Sequence, residues 1–114
     1  MIHRFETGPR MSEAVVHNGT VYLAGQVADD ASADIAGQTR QILDAIDALL
    51  ARAGSDKSKI LRAQIYLTDL ADFAAMNAVW EQWVVPGHTP ARATVQAALA
   101  NPQWKIEIVV TAAV

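Results

Sequence analysis

The chain alternates between two hydrophobic rhythms. From Ser12 to Val27, "SEAVVHNGTVYLAGQV", two apolar runs flank Asn18-Gly19. Asn-Gly is the preferred pair for a two-residue type I′ turn, because both positions need positive φ, so this segment predicts a β-hairpin. In "DIAGQTRQILDAIDALLARAG" the period lengthens. Ile35, Thr39, Ile42, Leu43, Ile46, Leu49 and Leu50 share one helical stripe, and Gly54 supplies the stop. "KILRAQIYLTDL" returns to period two, with Leu61, Ala63, Ile65 and Leu67 on one side and Arg62, Gln64 and Tyr66 on the other. A second helix is expected to begin near Asp69 or Asp72, either of which can cap it. It carries Phe73, Met76, Asn77, Trp80, Trp83 and Val84 at helical spacing, and Pro86-Gly87 ends it. Two strands, "ARATVQA" and "WKIEIVVTAAV", close the sequence around a turn containing Asn101-Pro102.

The order β-β-(β)-α-β-α-β-β predicts an α+β fold, a mixed sheet with one face covered by two amphipathic helices. The other face must then meet water or another subunit. Composition sharpens that choice. Hydrophobic residues make up 52% and charged residues only 18%, lean on charge for a small monomer, so an oligomer is expected. With 114 residues and no repeat, low-complexity tract or linker, residues 1–114 read as one domain. Absence of cysteine excludes disulfides, thiolate catalysis and cysteine metal sites. A formal charge of −3 with scattered basic residues argues against a nucleic-acid partner. "MIHRFETGPR" lacks an apolar signal core, no run reaches membrane-spanning length, and the expected location is cytoplasmic.

Two charges sit where a core does not ask for them. Arg92 in "ARATVQA" and Glu107 in "KIEIVV" are each the only side chain of their sign in an apolar strand. Burying an unpaired charge costs several kcal/mol as a rough figure, so each needs a partner: the other, a neighbouring chain or a ligand. Period two places Arg92 with Thr94 on one face of its strand and Glu107 with Lys105 and Thr111 on one face of the next, and the two polar faces are expected to look the same way. Arg92 offers a planar donor fork suited to a carboxylate. Glu107 can orient a water or exchange a proton. A plain ion pair, within or between chains, accounts for the same pattern. Asn77 on the apolar helix stripe reads equally as a helix-packing amide or a ligand contact. Gly25 in "YLAGQV" marks a bulge or bend rather than a phosphate loop. His3, His17 and His88 have no metal-ligand spacing, and no serine-hydrolase or nucleotide motif is present.

Taken together, these segments resemble the Rid (reactive intermediate deaminase), or YjgF, family nearly end to end. "GPRMSEAVVHNGTVYLAGQVADD" is similar to that family's "GPYSQAV…G…(Y/F)xSGQ(I/V)" opening, and "DFAAMNAVW" to its "DFxxMNxVY". "TPARATVQAALANPQWKIEIVVTAAV" resembles its "PARxxVxVxxLPxxxxVEIExxA", with Arg92 and Glu107 at the family's spacing. The resemblance implies a chorismate-mutase-like fold of the bacillus type, with a mixed six-stranded sheet and two helices on one face. It implies assembly as a homotrimer with clefts between subunits. It also implies hydrolysis of 2-imino acids and enamines such as 2-aminoacrylate to 2-oxo acids and ammonia, without metal or organic cofactor. In that picture Arg92 holds the substrate carboxylate, Glu107 positions the attacking water, and Gly25, Thr94 and Asn77 help bind. The sequence departs from the family where its tyrosine falls on Arg10, its "SGQ" serine on Ala24 and a frequent cysteine on Thr94. Arg10 adds positive charge that can redirect carboxylate recognition. Two other functions compete with the deaminase: a trimeric module that binds a small carboxylate without turning it over, and, more weakly, a ribonuclease.

Overall fold

In the computed structural model, which describes residues 1–114, the chain begins with three strands, β1 (His3–Phe5), β2 (Ala14–His17) and β3 (Thr20–Leu23). The turn between β2 and β3 takes the expected form, with φ of 50° at Asn18 and 75° at Gly19. Helix α1 (Ile35–Arg52) follows. Asp34 caps it by accepting from the Gly37 N–H at 2.8 Å, and Gly54 ends it at φ 81°, where the Ser55 N–H turns back to the Leu50 carbonyl. Then come β4 (Ile60–Leu67), α2 (Phe73–Trp83), β5 (Ala91–Gln96) and β6 (Ile106–Ala113). Asp69 caps a single 3-10 turn over Leu70–Asp72 by accepting from the Ala71 N–H, whereas Asp72 precedes α2 without a side-chain bond.

The six strands form one sheet in the order β1-β2-β3-β6-β4-β5, antiparallel except for the parallel pair β4–β5. The closing strands β5 and β6 are therefore not neighbours, because β4 lies between them. Both helices cover one face. Ala63, Ile65, Leu67, Ile106, Ile108 and Val110 are buried there against Ile42, Leu43, Ile46 and Leu50 of α1 and Met76, Val79 and Trp80 of α2. The stripe predicted for α1 is the one observed. In β4, however, Leu61 does not join the core; it is 52% exposed, while Ile60 is buried. The pairing with β6 shifts register between Ile60 and Arg62, and this irregularity reverses the alternation at Leu61.

The opposite face carries Tyr22, Gln64, Tyr66, Val95, Glu107, Val109 and Thr111 and no helix covers it. Tyr22 and Val95 are about half exposed on it, at 50% and 45%. One buried polar side chain fixes the entry to β6. Gln38 of α1 donates to the carbonyls of Ala31, Ala33 and Gln103 and accepts from the Lys105 N–H at 2.9 Å. That amide clamps the segment leading into Glu107 to the first helix, satisfying backbone groups that burial would otherwise leave unpaired. No helix is long and apolar enough to cross a membrane.

Candidate functional site

Strand register separates the two charges that the sequence expects to face the same way. Parallel pairing sets Arg92 beside Ala63 on β4, and antiparallel pairing sets Glu107 beside Tyr66 on the same strand. Side chains alternate along a strand, so positions an odd number of residues apart point to opposite faces. Ala63 is fully buried under the helices, and Tyr66 looks out from the bare face. Arg92 and Thr94 therefore lie on the helix-covered side and Glu107 on the uncovered side. No ion pair joins Arg92 to Glu107; the salt bridge in the protein links Arg52 to Glu6 at 2.9 Å, tying the end of α1 to the residue that follows β1.

Arg92 stands at the edge strand, half-buried beside α2. Its Nη1 donates to Asn77 Oδ1 at 2.8 Å, and its guanidinium carbon lies 5.4 Å from the centroid of the Trp80 ring and 5.9 Å from that of Phe73. Both distances are within cation–π range. Burial lowers its pKa from the usual arginine value, an effect that the nearby Glu81 carboxylate partly opposes. The group remains a cation at any physiological pH, and only one of its N–H groups is engaged. Thr94, two residues along, has its hydroxyl buried with no hydrogen-bond partner. Such an orphan costs roughly 1–3 kcal/mol unless something beyond the protomer answers it.

Glu107 belongs to a second cluster. Gln26 and Ile108 form a two-bond bridge, N–H to O at 2.9 Å and 3.1 Å, which lays Gly25 against the Glu107 side chain. A Cβ at Gly25 would lie 2.2 Å from Glu107 Oε2, so any side chain there would have to displace that carboxylate from its observed position. Gly25 also lines a recess of about 480 Å³ with Glu6, Glu13, Gln26 and Arg52, where Gln26 donates to Glu13 at 3.1 Å. Arg10 is exposed in the 6–13 segment, beside a smaller recess of about 260 Å³ that it shares with Glu6 and Glu13. None of the protein's four recesses takes in Arg92, Asn77, Thr94 or Glu107.

The structure thus brings the predicted residues together in two groups: Arg92, Asn77 and Thr94 at the β5 edge, and Gly25 with Glu107 on the bare face. Arg10 joins neither. Trp80 and Phe73, which the sequence places on the apolar stripe of the second helix, flank the arginine. Their signal was present in the spacing, because Phe73, Asn77 and Trp80 fall at i, i+4 and i+7 on one face of α2.

These features define a two-layer α+β protein with an unneutralised guanidinium at the open edge of a six-stranded sheet. The whole chain, residues 1–114, matches the family described as endoribonuclease L-PSP. A RutC family protein of Haemophilus ducreyi is 49% identical over 114 residues, covering 100% of this chain and 97% of that protein. The RutC family protein YoaB of Escherichia coli is 50% identical over 113 residues, or 99% and 98% of the two chains. In three dimensions, NMB1025 of Neisseria meningitidis, a member of the YjgF family, is similar with a TM-score of 0.97 and 50% identity over 99% of this chain and 94% of its own. The chain belongs to this family, which spans the L-PSP, RutC, YjgF and Rid names.

Proposed function

We propose that the protein is an imine and enamine deaminase that hydrolyses 2-imino acids, including the tautomer of 2-aminoacrylate, to 2-oxo acids and ammonia. The observation that carries this reading is Arg92, a half-buried cation with no counter-ion and most of its donors free. A small carboxylate is the ligand that such a fork fits best. Arg92 and Glu107 point to opposite faces of one sheet, so a site using both needs two protomers. In the proposed homotrimer, the β5 edge of one chain, with Arg92 and the orphaned Thr94 hydroxyl, lies against the Gly25–Glu107 cluster of the next.

The substrate carboxylate binds Arg92 and presents its imine carbon to a water held by Glu107. Attack by the water oxygen on the protonated imine, with its proton passing to the Glu107 carboxylate, forms a carbinolamine. Glu107 returns the proton to nitrogen and the C–N bond breaks; the hydroxyl then gives its proton to the Glu107 carboxylate as the 2-oxo group forms, and Glu107 passes it to the departing ammonia, which leaves as ammonium. Arg10, exposed at the 6–13 segment, adds a cation that favours substrates bearing a second acidic group.

Imines generated in situ by an amino-acid oxidase test the proposal: the protein should accelerate release of ammonia and 2-oxo acid above the buffer rate. One observation favours a second reading, a trimeric module that binds a small carboxylate without turning it over: the tyrosine and serine of the family pattern are replaced here by Arg10 and Ala24. Saturable binding of a 2-oxo acid with no acceleration of imine hydrolysis would establish that module instead. Ribonuclease activity, which the family description names, is poorly supported by a net charge of −3 and the absence of a basic stripe.

A further inference from the structure

We infer that Trp80, Asn77 and Phe73 form a neutral cradle that fixes the plane of the Arg92 guanidinium without neutralising it, and that Trp80 and Asn77 are therefore positioning residues for ligand capture. The inference rests on the carboxylate role proposed for Arg92 and explains how a half-buried arginine stays available for it.

An arginine partly withdrawn from water normally meets a carboxylate. Here the groups in contact are an amide oxygen at 2.8 Å and two aromatic rings at 5.4 and 5.9 Å, none of which carries a formal charge. The ring faces offer the negative lobe of a quadrupole, and the amide offers one acceptor. Desolvation lowers the arginine's pKa and Glu81 opposes this only through the field, so the groups in direct contact leave the charge unanswered. Geometry is set by the helix: Phe73, Asn77 and Trp80 are one above another on α2, so one rigid element holds both rings and the hydrogen bond. Trp80 is 5% exposed and packs against Trp83 in a tilted pair, centroids 5.5 Å apart and rings 46° from parallel, and Trp83 Nε1 donates to Asp47 of α1 at 3.0 Å. The ring under the arginine is thus anchored to both helices. Phe73, 41% exposed, is the more open of the two rings beside the guanidinium.

A neutral cradle makes a prediction that simple packing does not. Asn77→Asp supplies the missing counter-ion. It should leave the melting temperature at or above that of the wild type, yet weaken binding of 2-oxobutanoate about tenfold or more, because the arginine's charge is then already answered. Trp80→Phe keeps a ring face and should lose affinity only in part, and Trp80→Leu, which keeps apolar volume alone, should lose about tenfold. In the ligand-free protein, NMR should show the Arg92 Nε–H and Cδ protons shifted upfield by the Trp80 ring current. Wild-type affinity in Asn77→Asp, or in a folded Trp80→Leu, would overturn the inference, as would unshifted Arg92 protons. If Trp80→Leu fails to fold, Asn77→Asp and the ring-current shift decide the matter. A ring-shifted Arg92 in a wild type that does not bind 2-oxobutanoate would contradict the carboxylate role while leaving the cradle in place.

Discussion

Arg92 is expected to tolerate lysine badly. Lysine keeps the charge but not the planar fork, so Arg92→Lys should bind 2-oxo acids much more weakly than the wild type, and Arg92→Ala should abolish binding while circular dichroism shows the fold intact. Retained affinity in the alanine variant would make Arg92 a structural cation. Glu107 has a different signature. Glu107→Gln preserves shape and one acceptor oxygen, so it should spare carboxylate binding and lower turnover by about 10²–10⁴. If binding and turnover fall together, Glu107 shapes the cleft instead of handling the proton. Gly25 provides an independent check on the same group. A methyl there would sit 2.2 Å from Glu107 Oε2 and must displace the carboxylate, so Gly25→Ala should reproduce the turnover defect of Glu107→Gln in a folded protein. Full activity in that variant would separate the position of the Glu107 carboxylate from catalysis.

At the scale of elements, stability should follow the observed register and not the simple alternation. Ile65→Ala, fully buried between sheet and helices, should cost about 2–5 kcal/mol in denaturant unfolding, whereas Leu61→Ala at the register shift should cost well under ~1 kcal/mol. Equal losses at the two positions would contradict the register. The β2–β3 hairpin and α1 were legible in the sequence because each is specified locally, by Asn18-Gly19 in one case and by a helical stripe ending at Gly54 in the other. The relation of Arg92 to Glu107 was not. Period two gives the face of each residue relative to its own strand, but relating two strands needs their registers against β4, which are set by long-range pairing. Leu61 departs from simple alternation for a similar reason, since one irregularity in pairing reverses the side-chain parity. Trp80 was legible as a buried aromatic, but its contact with Arg92 depends on how α2 lies against the edge strand β5.

For the whole molecule, family membership and fold are carried by the full length of the chain, while the site as proposed is complete only between chains. Light scattering at micromolar concentration should give about three times the chain mass of 12.3 kDa, since the uncovered sheet face with Tyr22 and Val95 is the natural surface for burial between copies. A stable monomer would leave Arg92 and Glu107 on opposite faces and remove the shared cleft. The measurement that bears most directly on the account mixes two inactive proteins. Arg92→Ala and Glu107→Gln are unfolded together in equal amounts, refolded, and assayed for hydrolysis of an imine that the wild type turns over. If each site takes Arg92 from one protomer and Glu107 from the next, random mixing should restore about one quarter of wild-type activity, because that share of the interfaces pairs two intact residues. Activity no higher than that of the separate variants, in a mixture shown to contain hybrid trimers, would contradict a site shared across the interface.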